Sequence, residues 1–211
     1  GQKPGAIEDF SGRMGRLVQS IKRACRENVG LSLASILLLR EGTYPVKHSI
    51  DVAILATAVG RGMAIDEDTL DSIIAAALTM NIGMYEVHER INAINGPLND
   101  KLLSMIRQHP AIGVERLTRL GVTDPIWLQC VKQHHEHVDG SGYPDGLGGD
   151  AIHVGAKLIG VADKYGAMIS ARSYRGSQKP NAALRDLYIK NGAHIDVVVA
   201  ATTIRVLGIY P

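Results

Sequence analysis

Cysteine is scarce in this chain: two in 211 residues, Cys25 and Cys130, neither in a CxxC pair. That excludes a disulfide scaffold and makes a reduced, cytoplasmic compartment the expectation. No apolar run reaches the roughly 18 residues a membrane span needs, and the opening residues lack a signal-peptide pattern. A strong charge of either sign is also missing. The formal net charge is +2 with 21% charged residues, which leaves no footprint for bulk nucleic-acid binding, although a local cationic patch stays open. Strand signals are few, and internal repeats and low-complexity tracts are absent. The chain begins GQKPGAIEDF without an initiator Met, so an upstream domain is expected.

What is present reads as helix. A hydrophobic content of 45% over this length is enough for one sizeable domain with a full core. Asp66, Asn99, Asp124 before Pro125, Asp150 and Asp196 each stand where a helix N-cap is needed. Gly121 and Gly208 stand at plausible stops. Residues 6–40 read as one or two further helices with Leu17, Ile21 and Cys25 on one face. The spacing predicts an all-α bundle of seven or more helices, with residues 1–40 as an N-terminal helical segment or small lobe.

One run concentrates ligand chemistry: HHEHVDGSGYPDGL, from His134 to Leu147. Adjacent imidazoles are common transition-metal ligands, and the glycines let the backbone approach a ligand closely. Other candidates fall on apolar stripes at helical spacing. His48 is in register with Val52, Leu55 and Val59; His109 follows Leu102, Met105 and Ile106; Asp163 aligns with Ile159, Gly160 and Ala167. His134 and His135 extend the face of Trp127, Leu128 and Val131. Burying an unpaired charge such as Asp163 is costly, so each candidate needs a partner, and a shared metal would serve them all. The bland alternative for any single histidine is a core imidazole satisfied by a backbone carbonyl. His88, His137, His153 and His194 are read as ordinary surface histidines.

Together, YPVKHSIDVAILA, IIAAALTMNIGM, LNDKLLSMIRQHPAIGVERL, the GYP run and IGVADKYGAMISARSYR resemble the HD-GYP family, bacterial phosphodiesterases that act on cyclic di-GMP. The resemblance spans about Tyr44 to Arg175 and makes residues 41–211 an HD-GYP-like, HD-type helical domain. It departs at one point: where the family has His-Asp followed by Ile-Gly-Lys, this chain has Met80, Asn81, Ile82, Gly83 and Met84. The family's two-metal centre, carried over by position, assigns His48, Met80, Asn81 and Asp163 to one site. The other receives Asn81, His109, His134 and His135. Met80 offers only a soft thioether, and Asn81 cannot bridge two cations with a carboxylate. The second site keeps three imidazoles, enough for one transition metal such as Zn, Fe, Mn or Ni. A two-metal centre is therefore not expected. Tyr143, Arg172 and Arg175 match positions that contact the nucleotide in the family.

The favoured reading is a degenerate signalling domain that binds cyclic di-GMP or a related nucleotide, or docks a diguanylate cyclase-type protein through its GYP loop. An active phosphodiesterase with an atypical metal site is the alternative. A structural or dimerisation domain with relic histidines is the third reading.

Overall fold

A computed structural model describes residues 8–39, 42–84, 99–170 and 178–208. Among them nine α-helices form, and no strand: α1 (Glu8–Glu27), α2 (Val29–Leu38), α3 (Tyr44–Gly62), α4 (Glu67–Thr79), α5 (Asp100–Arg119), α6 (Pro125–Gln133), α7 (Val154–Ile169), α8 (Pro180–Asn191) and α9 (Val197–Leu207). No helix of the described residues is long and apolar enough to cross a membrane.

The helix starts follow the cap chemistry of the sequence, with one exception. Asp66, Asn99, Asp124 and Asp196 each accept a backbone N–H of the first turn. Asp150 does not cap α7. It lies in a short 3-10 turn, and His153 caps instead, its Nδ1 accepting from the Gly155 N–H at 3.0 Å. The imidazole stands one residue before the first helical position, so its reach replaces the carboxylate's. Gly121 follows α5 at φ +86°, a left-handed conformation that spares it any Cβ clash.

The core is built where α3, α4 and α7 meet. Leu55, Val59, Ile73, Ile74, Leu158 and Ile159 are almost wholly buried there, each contributing about 1.5–3 kcal/mol of transfer free energy. Helix α1 joins this core through Val18 and Cys25 rather than Leu17, which is 48% exposed. The face is rotated from the expected one because Lys22 turns inward, where it pairs with Asp71 and with Glu67 of α4. Trp127 of α6 donates its indole N–H to Thr79 at the end of α4, at 2.7 Å. This contact sets the end of α4 beside the start of the histidine run.

Candidate metal centre

His109, His134 and His135 come together, their ligating nitrogens all within 4.8 Å of one another. The backbone dictates how two of them point. Pro110 has no N–H to give the Ile106 carbonyl one turn back, and His109 Nδ1–H donates to that carbonyl instead, at 2.6 Å. Val131 lies in the last turn of α6, where carbonyls lack helical donors. His134 Nδ1–H donates to it at 2.7 Å. Both rings thereby expose an unprotonated Nε2, and the two Nε2 atoms face each other at 3.2 Å. Two lone pairs at that distance repel unless a cation lies between them.

His135 takes its orientation from Tyr143, whose ring stacks on it at 4.7 Å. Burial holds both tandem imidazoles below their usual pKa. His135 is held well below it, with the neighbouring His134 adding to the effect. Both are neutral near pH 7, the form that binds metal. Gly83 lets the 82–84 turn lie directly on α5: a Cβ there would sit 2.1 Å from the His109 carbonyl oxygen. Gly160 similarly brings α7 against His134, where a Cβ would stand 2.7 Å from its carbonyl oxygen.

The other expected site is arranged differently. His48 Nε2 meets Asp163 Oδ1 at 2.6 Å, and Tyr44 stacks on the imidazole. Burial raises the Asp163 pKa, but the His48 hydrogen bond and the nearby imidazoles outweigh it and hold the carboxyl well below its usual range. Met80 is wholly buried in the core and Asn81 is half-buried in the turn after α4. The charge of Asp163 also reaches His134 and His135, so the two groups are neighbours. Arg172 and Arg175, and also His88, lie outside the described residues.

Several roles were not visible in the sequence. Glu136 is no ligand to the cluster; its two oxygens accept the Asp145 and Leu147 backbone N–H groups at 2.7 and 2.9 Å and pin the GYP loop. A glycine-rich turn has amides that need acceptors, and that need is the signal that points to Glu136. His137, His153 and His194 are half-buried rather than ordinary surface residues. His153 caps α7, and His137, Asp139 and His194 form a second group of close ligand atoms. In that group His194 Nδ1–H bonds Asp139 at 3.0 Å, His137 bonds Ser141 at 3.0 Å, and Lys164 lies 3.2 Å from His137 Nε2.

A family model described as HD domain matches residues 16–199. The chain is 29% identical over 195 residues to a cyclic di-GMP phosphodiesterase of Pseudomonas aeruginosa, covering 92% of this chain and 47% of that protein. It is 32% identical over 145 residues to the cyclic di-GMP phosphodiesterase response regulator RpfG of Xanthomonas campestris, covering 67% and 38%. The chain thus spans less than half the length of these curated relatives. Its fold is similar to that of Bd1817, an HDG"Y"P protein from Bdellovibrio bacteriovorus, with a TM-score of 0.68 at 19% identity over 96% of this chain and 68% of that one.

Proposed function

We propose that the chain, which belongs to the HD domain family, is a metal-holding module of cyclic di-GMP signalling in which hydrolysis is impaired. The observation that carries this reading is the orientation of His109 and His134. Their Nδ1–H groups are committed to backbone carbonyls and their Nε2 atoms converge at 3.2 Å. That donor set, with His135, fits one divalent transition ion. When bound, such an ion supplies Lewis acidity toward a phosphate oxygen.

The fit fails at the second position. Asp163 takes up the His48 Nε2 while the buried Nδ1 has no partner among the described residues, Met80 is enclosed in the core, and Asn81 supplies no bridging anion. Two cations a few ångströms apart need such an anion between them. The relatives named as cyclic di-GMP phosphodiesterases supply the nucleotide class, with Tyr143, Arg172 and Arg175 as its contacts. Arginine suits them because its planar fork donates two parallel hydrogen bonds to a phosphate.

The test is elemental analysis of protein purified without chelator, paired with calorimetric titration and turnover of cyclic di-GMP. We expect about one metal per chain, measurable binding and little or no turnover. Two tightly held metals with turnover would establish the active phosphodiesterase instead. One metal with no nucleotide binding at high micromolar concentration would leave docking of a diguanylate cyclase-type protein on the GYP loop as the leading account.

A further inference from the structure

Beside the imidazole cluster runs a groove of about 590 Å³ between α5 and the GYP loop, within the size range of small-ligand clefts. One wall is a single stripe of α5. Asp100, Leu103, Ser104, Arg107, Gln108 and Ala111 recur at steps of three and four and so share one face. The opposite wall is Gly142, Tyr143 and Pro144. His109, two residues beyond Arg107, turns toward the cluster, so α5 serves both sites with adjacent faces.

Arg107 is the cation of this groove. It is exposed, and no carboxylate pairs with it among the described residues. Its charge is felt by the Tyr143 phenol, where it opposes the upward push of burial on the pKa. The Tyr143 hydroxyl has no hydrogen-bond partner among the described residues. The Gln108 amide donates to the Ser104 hydroxyl at 3.4 Å, and neither side chain has another hydrogen-bond partner among the described residues. The groove therefore presents the Arg107 guanidinium, two hydroxyls and a carboxamide to whatever enters, with Leu103 and Pro144 as apolar walls and the Asp100 carboxylate seven residues before Arg107 on the same stripe.

We propose that this groove is a second anion subsite, in which Arg107 holds one phosphodiester of a cyclic dinucleotide while the other faces the imidazole cluster. The proposal rests on the nucleotide reading above and adds to it a binding residue, Arg107, and a ligand class with two separated phosphates. Tyr143 lies between the two subsites, stacked on His135 and lining the groove. Its ring thereby couples the positions of the two phosphates.

The test is titration of Arg107→Ala, Arg107→Lys and wild type with cyclic di-GMP at two salt concentrations, with metal content and thermal midpoint measured alongside. Because Arg107 is exposed, the variants are expected to fold and to keep wild-type metal content. Losing a charge-assisted contact to phosphate is expected to weaken binding about ten- to a hundred-fold in Arg107→Ala. Lysine should restore part of that loss, because it keeps the charge without the fork, and the alanine variant should show a shallower salt dependence. Wild-type binding with Arg107→Ala within about threefold of it overturns the subsite and leaves the nucleotide reading standing. Absence of wild-type binding removes both.

Discussion

His109 and His134 are oriented by backbone carbonyls and His135 by an aromatic ring, whereas His48 and Asp163 are oriented by each other. The first arrangement turns the Nε2 lone pairs of His109 and His134 toward each other at 3.2 Å. The second closes on itself, with a carboxylate oxygen 2.6 Å from an imidazole nitrogen. Both groups are buried polar clusters in one fold, and each candidate began as a polar residue on an apolar stripe. The difference lies in which ring nitrogen the protein partner takes: Nδ1 in His109 and His134, Nε2 in His48. A carbonyl partner consumes only a donor and spares the acceptor for a metal. A carboxylate partner at the face that would hold the ion takes the metal's place.

The sharpest way to break that contrast is to remove one imidazole from each side. His134→Ala is expected to reduce bound metal from about one per chain to near zero, because two nitrogens rarely hold a divalent ion. His48→Ala is expected to leave the metal count unchanged. His194→Ala, in the outer group where Asp139 and Ser141 engage its Nδ1, should leave it unchanged too. Elemental analysis of the three variants decides the matter. Retention of metal in His134→Ala, or its loss in His48→Ala, reverses the assignment of the two sides.

A gain-of-site experiment sharpens the same comparison with a smaller expected change. Met80→His with Asn81→Asp supplies an imidazole and a carboxylate at the positions that the family resemblance assigns to the His48–Asp163 site. Metal content should rise toward two per chain as the His48–Asp163 bond yields to an ion. Met80 is wholly buried, so the new imidazole costs about 1–3 kcal/mol wherever it lacks a partner. The thermal midpoint should accordingly fall without added metal and recover with it. Adding Met84→Lys places an ammonium in the following turn and should help any hydrolysis that returns. A double variant with neither a second metal nor a metal-dependent midpoint would show that the end of α4 does not face this site.

Much of the fold was legible because it rests on local chemistry. Asp66, Asn99, Asp124 and Asp196 cap helices where spacing placed them, and the stripe from His48 through Val59 is buried as its period requires. The misreadings came where a tertiary partner outweighed the local signal. Lys22 turns inward to meet Asp71 and rotates the buried face of α1 away from Leu17. His153 reaches the α7 amides that Asp150 was expected to satisfy. At the site, periodicity placed His48, His109 and His134 in the interior, where they are found, but could not say which nitrogens would pair. That outcome depends on Pro110 freeing the Ile106 carbonyl and on a 115-residue separation between His48 and Asp163.

The smallest effect we expect tests whether the outer group belongs to the loop scaffold or to the metal chemistry. Asp139 accepts the Ser141 hydroxyl at 2.7 Å and the Ser141 backbone N–H at 3.0 Å. These bonds, the hydroxyl's above all and with help from His194, hold its carboxyl down at about 2 against an ordinary 3.8. A depressed carboxyl stabilises the fold fully above the ordinary value. That contribution is lost as the pH falls through the folded value, so the window lies between about 3.8 and about 2. Ser141→Ala removes the hydroxyl and keeps the N–H. The carboxyl should therefore titrate at a higher pH without reaching 3.8, and the acid-side loss of stability should begin earlier. Carbon-detected NMR titration of the Asp139 carboxyl gives the first readout, and acid unfolding followed by circular dichroism gives the second. Metal content near neutral pH should not move, because Ser141 and Asp139 touch none of the three imidazoles that converge. An unchanged Asp139 titration would mean that the hydroxyl bond does not hold in solution. A fall in metal content would tie this group to the centre and erase the distinction between the two.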